Sequence, residues 1–132
     1  MSKIASAVAD DLRFITAAAI PVNKQRFLAF LHSLYAAFPD WHYDHDEPEW
    51  RSDHIAIKWR QSGTHTGPLV LPGTPTVIAT HRSVKIPAQY FFYRVHDNQI
   101  VEIRPESIPG GAPQGILDQI GAKGTPSWIV KS

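Results

Sequence analysis

The stretch "QYFFYRVHDNQIVEIR" near the end of the chain constrains the fold more than any other. Two runs rich in aromatic and β-branched residues flank Asp97 and Asn98. Such side chains suit a pleated surface, and Asn tolerates the positive φ of a two-residue hairpin turn. The stretch therefore predicts two antiparallel strands over 89–95 and 100–104. With unbroken alternation, His96 faces Gln99, Val95 faces Ile100, Tyr93 faces Glu102 and Phe91 faces Arg104. Phe91, Tyr93, Val95, Ile100, Glu102 and Arg104 then share one side of the sheet. A few polar groups among apolar walls is how small-molecule pockets are built. A bulge in either strand would exchange the faces.

Upstream, Asn23 reads as an N-cap for "KQRFLAFLHSLYAAF". Phe27, Leu31, Leu34, Tyr35 and Phe38 recur at three- and four-residue spacing, the stripe of an amphipathic helix that Pro39 ends. "DHIAIKWRQSG" alternates, with Ile55, Ile57 and Trp59 on one face. If that strand continues through "SGTHTGP", His65 lies on the same inward face. "WHYDHDEPEW" predicts a short strand and a turn. "VIATHRSVKI" predicts a further strand, separated from 89–95 near Pro87. "KIASAVADDL" predicts a short leading helix, and "QGILDQIG" a closing one ended by Gly121. Helices, then antiparallel strands, then a short helix argue for an α+β fold with helices packed on one face of a curved sheet.

At 132 residues the chain predicts one domain. Thirteen basic and 12 acidic residues leave a net charge of +1. No Lys/Arg cluster stands out, so nucleic acid and anionic membranes are not expected partners. The absence of cysteine removes disulfides, thiolate catalysis and Cys-type zinc sites. "MSKIASAVADDL" meets Asp10 and Asp11 too early for a signal-peptide core, and no apolar run is long enough to span a membrane. The expected location is cytoplasmic.

Four stretches together resemble the SnoaL-like polyketide cyclases, or ester cyclases, of the nuclear transport factor 2-like superfamily. They are "FLAFLHSLYAAFPDW", "SGTHTGP", "FFYRVHDNQIVEI" and "ILDQIG". The resemblance implies a conical α+β fold, with a curved antiparallel sheet wrapped around helices and a ligand cavity inside. It also implies a homodimer, and an acidic residue that removes a proton next to a carbonyl with no metal or cofactor. The chain departs from the pattern in three places. Arg104 stands where the family has tryptophan. The family's catalytic Asp is missing from "PESIPGGAPQ", where Glu106 is the nearest carboxylate. The leading helix is shortened, because "VADDLRF" already resembles the segment after it.

His65 is a candidate proton shuttle, since an imidazole titrates near neutral pH; the alternative is a histidine that satisfies loop backbone groups. Glu102 is a candidate base, or else the ion-pair partner of Arg104. Arg104 is a candidate clamp for a substrate carboxylate or enolate oxygen. Glu106 is a candidate displaced acid, and Trp59, Tyr93 and Phe91 are candidate pocket walls. "HYDHDE" places His42, Asp44 and Asp46 on one strand face, which suits a solvated strand better than a metal site. The expected ligand is a small, mostly apolar molecule bearing a carbonyl. The expected activity is cyclisation or isomerisation by proton transfer, with a non-catalytic carrier or an interaction module as the alternatives.

Overall fold

The computed structural model describes residues 2–16, 18, 20–72 and 74–122. Helix α1 (Ser2–Ala7) runs into strand β1 (Val8–Phe14), followed by helix α2 (Lys24–Ala37). Strands β2 (His42–His45), β3 (Glu49–Trp50), β4 (Ile55–Thr64), β5 (Ser83–His96) and β6 (Gln99–Pro105) come next, and helix α3 (Gln114–Gln119) follows them. The sheet runs in the order β1-β6-β5-β4-β2, with β3 paired to β4.

The fold is α+β, and the sheet is mixed and open. The expectation of a wholly antiparallel sheet is corrected at β1, which pairs with β6 in parallel. The leading helix is correspondingly shorter than "KIASAVADDL" predicts. It stops at Ala7, where the chain joins the sheet; after an irregular start a two-residue period sets in, with Leu12 and Phe14 buried and Asp11 and Arg13 exposed. That pattern suits a strand with one face inward.

Helix α2 forms as its sequence predicts. The Asn23 side chain accepts the Arg26 amide at 2.9 Å and so satisfies a donor that the first turn leaves unpaired. Phe27, Phe30, Leu34 and Ala37 are buried on one stripe against the inward face of the sheet. The core divides into two clusters. One gathers Leu12, Phe14, Val22, Phe27 and Ile103; the other gathers Phe30, Leu34, Phe38, Val84, Ile86 and Leu117.

Two bulges decide which side chains look inward. In β5, Trp59 pairs with Gln89 but Gln61 pairs with Ile86, so β5 carries an extra residue around Pro87 and Ala88. Proline cannot donate to a ladder, and a bulge is where it is tolerated. Burial switches there from even to odd positions, from Val84 and Ile86 to Gln89. The strands predicted on either side of Pro87 are thus one bent strand that begins only at Ser83; Val77 makes an isolated bridge with Leu69 instead.

The second bulge lies in β6. The hairpin turn forms as predicted, with Asp97 and Asn98 at φ 50° and 64°. Val95 pairs with Ile100, but Arg94 then pairs with Glu102, which leaves Val101 as the extra residue. Tyr93 therefore faces Ile103, and Phe92 faces Arg104. This corrects the predicted pairing of Tyr93 with Glu102 and of Phe91 with Arg104. The physical reason is charge placement: the bulge keeps Ile100 and Ile103 inside and turns a carboxylate and a guanidinium toward water. Burying them without partners would cost several kcal/mol each, roughly.

Candidate functional site

A cavity of about 430 Å³ opens between α2 and the inward face of the sheet. It draws its lining from both core clusters. Phe27, Leu31 and Leu34 form the helical wall, and Ile55, Ile57 and Phe91 lie opposite. The polar groups sit on the β2–β4–β5 side, joined by Tyr35 from α2. Trp59 Nε1 donates to the Tyr93 hydroxyl at 2.9 Å, and the hydroxyls of Tyr35 and Tyr43 lie 3.3 Å apart. Gln61 joins them, paired across the ladder with Tyr43. Among the described residues, no carboxylate, imidazole, ammonium or guanidinium lines this space. Burial pushes the Tyr93 phenol well above its usual pKa and does the same to Tyr35, so both stay protonated.

The cavity brings together Trp59, Tyr93 and Phe91 from the predicted set, and leaves out the four others. Glu102 and Arg104 are on the opposite face of the sheet. Glu102 lies 3.3 Å from Arg94 and 3.5 Å from Arg13, and Arg104 sits over the Phe92 ring at 5.2 Å. Glu106 follows β6, where its Oε1 accepts the Tyr90 amide at 3.2 Å. Arg104 and Glu106 share a separate hollow of about 370 Å³ beside Thr16 and Ser107. The expected arrangement of His65 and Glu102 around one hollow is therefore not formed.

His65 keeps the inward orientation of β4. A Cβ on Gly63, two residues earlier, would come within 2.6 Å of Trp41, a cavity wall. The imidazole itself is fully buried beyond that wall. It stacks on Phe38 at 5.2 Å, and Phe38 in turn packs on Trp41 at 5.2 Å. Nδ1 accepts the Thr80 amide at 3.2 Å, which places the proton of the neutral ring on Nε2. Among the described residues, no group lies within hydrogen-bond geometry of Nε2. Desolvation pushes this histidine below its usual pKa, with a smaller opposing effect from the Gly67 backbone.

A histidine buried neutral titrates higher in the unfolded chain than in the folded one. Its contribution to stability is complete above the unfolded pKa of roughly 6.5 and declines as pH falls from there toward the folded pKa, by up to about 1.4 kcal/mol per pH unit. Urea unfolding at pH 7.5, 6.5 and 5.5 should show this loss in the wild type, with a shallower slope in His65→Gln. Parallel slopes would mean that the ring is not held neutral.

The "HYDHDE" segment is accounted for by an ion pair. Arg60 holds Asp44 at 2.6 Å and Asp46 at 3.0 Å, and the described residues contain no cluster of three or more His, Asp and Glu side chains suited to a metal.

Sequence reasoning missed Gln61, Tyr43 and Gln89. Gln89 is 1% exposed and clamps the segment after β6. Its Nε2 donates to Glu106 O at 2.8 Å and Ala112 O at 3.2 Å, and its Oε1 accepts the Ala112 amide at 3.0 Å. Ala112 and Pro113 are part of the cavity lining, so Gln89 shapes the site from behind. A polar residue aligned with the inward positions Phe91 and Tyr93 was the available signal.

Solved structures with this architecture include a candidate SnoaL-like polyketide cyclase from Jannaschia sp. CCS1, at 18% identity and a TM-score of 0.66 over 90% of this chain and 76% of that one. AclR, a candidate hydroxylase from Streptomyces galilaeus, matches at 19% identity and 0.66 over 91% and 69%. IdmH, a candidate polyketide cyclase from Streptomyces antibioticus, matches at 21% and 0.64 over 92% and 86%. At these identities the likeness concerns the fold. Curated proteins give no significant match. A family model for SnoaL-like polyketide cyclases matches residues 1–106, and the chain belongs to that family.

Proposed function

We propose that the chain binds a small, neutral, mostly apolar molecule between α2 and the sheet and acts on it as a carrier rather than as an acid–base catalyst. One observation supports this above the others: the cavity lining is hydrocarbon, phenol, indole and carboxamide, with no ionisable group that titrates near neutral pH. Removing a proton next to a carbonyl needs a base within hydrogen-bond reach of it. Glu102, Glu106 and His65 all lie outside the lining. The volume, about 430 Å³, falls in the range of small-molecule sites.

Calorimetry with neutral polycyclic ketones tests this reading. Affinity should stay level from pH 5 to 8, because the described residues lining the cavity include no carboxylate, imidazole or ammonium. A ketone with exchangeable α-protons, incubated with the protein in heavy water, should be recovered without added deuterium. Faster exchange than in buffer, lost in Glu106→Gln or His65→Gln, would replace the carrier with the cyclase or isomerase reading.

A further inference from the structure

We infer that the Tyr93 hydroxyl, turned by Trp59, is the anchor for a carbonyl or ether oxygen of the bound molecule. The inference rests on the binding reading above and deepens it by naming the ligand chemistry. A phenol carries one O–H donor and two acceptor lone pairs. The Trp59 indole, a donor only, takes one of the lone pairs at 2.9 Å. The O–H tends to lie in the ring plane, on the side away from the incoming indole proton. No protein group accepts that proton among the described residues. Tyr93 is half-buried and lines the cavity, so a ligand oxygen there can take up this donor.

The neighbours extend the argument to the rest of the ligand. Tyr43 meets Trp59 edge-on at 5.5 Å and stands opposite Gln61 on the ladder. Tyr93, Trp59, Gln61 and Tyr43 thus form a neutral polar strip on the sheet wall. The α2 wall facing it is Phe27, Phe30, Leu31 and Leu34, with the Tyr35 hydroxyl meeting Tyr43 at its edge. The strip fits an uncharged molecule with hydrogen-bonding oxygens along one edge and hydrocarbon along the other. With no cation in the lining, a carboxylate on the ligand would lose its hydration without compensation.

The test uses fluorenone and fluorene, which differ by a carbonyl against a methylene. Their affinity ratio is measured by calorimetry in the wild type and in Tyr93→Phe, so differences in transfer from water cancel. The ratio should shift against fluorenone by about tenfold in Tyr93→Phe, the worth of one hydrogen bond. Fluorenone-2-carboxylate should bind more weakly than fluorenone to both proteins. In the wild type, the carbonyl stretch of bound fluorenone should move to lower frequency than in hexane, a readout that needs no variant. Binding of both probes with an unchanged ratio and an unshifted stretch would overturn the anchor and leave the binding reading standing. If neither probe binds, both readings fall.

Discussion

Gln89→Leu is expected to destabilise the protein by about 3 kcal/mol, the lower end for three part-buried backbone groups losing their partners at once. The groups are Glu106 O, Ala112 O and the Ala112 amide, all held by one carboxamide. Leucine fills nearly the same space, so the cost is one of hydrogen bonding rather than of volume. Gln89→Glu keeps an acceptor for the Ala112 amide but loses both donors, and adds a charge where the side chain is 1% exposed. It should be at least as damaging. Urea unfolding of both variants reads the effect. The consequence also reaches the cavity, because Ala112 and Pro113 form part of its wall. Fluorenone affinity should fall along with stability. A loss below about 1 kcal/mol in Gln89→Leu would mean that water or a shifted loop replaces the clamp.

Ile57→Trp is expected to block binding and leave the fold intact. Ile57 lies across from Phe91, and both line the cavity. An indole placed there grows into open space rather than into packed neighbours. A ligand must then displace it or strain around it. Overpacking costs roughly 1–3 kcal/mol, so affinity for a neutral ketone should drop about 5- to 150-fold. The unfolding midpoint should stay level or rise. Unchanged affinity would place the ligand elsewhere, with the hollow beside Arg104 and Glu106 as the next site to test.

The two variants bear on different levels of the molecule. Gln89 acts on the cavity through the loop it holds, and Ile57 acts on the cavity itself. Tyr93→Phe keeps the cavity's shape and frame but removes one donor and, with it, the acceptor of the Trp59 indole. A ligand that responds to all three is inside the cavity, anchored through that hydroxyl, and dependent on the loop for its wall.

Much of the frame was legible because local rules and tertiary packing agreed. Asn23 capped α2, Asp97 and Asn98 took the left-handed turn, and Ile55, Ile57 and Trp59 faced inward. Where the rules disagreed, the sequence misled. "AVADDL" suits a helix, and the two-residue burial pattern of the strand sets in only from Asp11 to Phe14. Its pairing with β6, 89 to 92 residues away, is a contact that local propensity does not encode.

The residue types available to the site were a matter of sequence alone: aromatic, aliphatic and amide groups, and no thiol. Which of them meet was decided by two extra residues, one near Pro87 and one at Val101. Side chains alternate with a period of two, so one inserted residue exchanges everything beyond it between faces. Alternation counted from the turn placed Glu102 and Arg104 beside Tyr93. The folded sheet instead favours the register that leaves charges in water and hydrocarbon inside, and that preference is a property of the whole packed molecule.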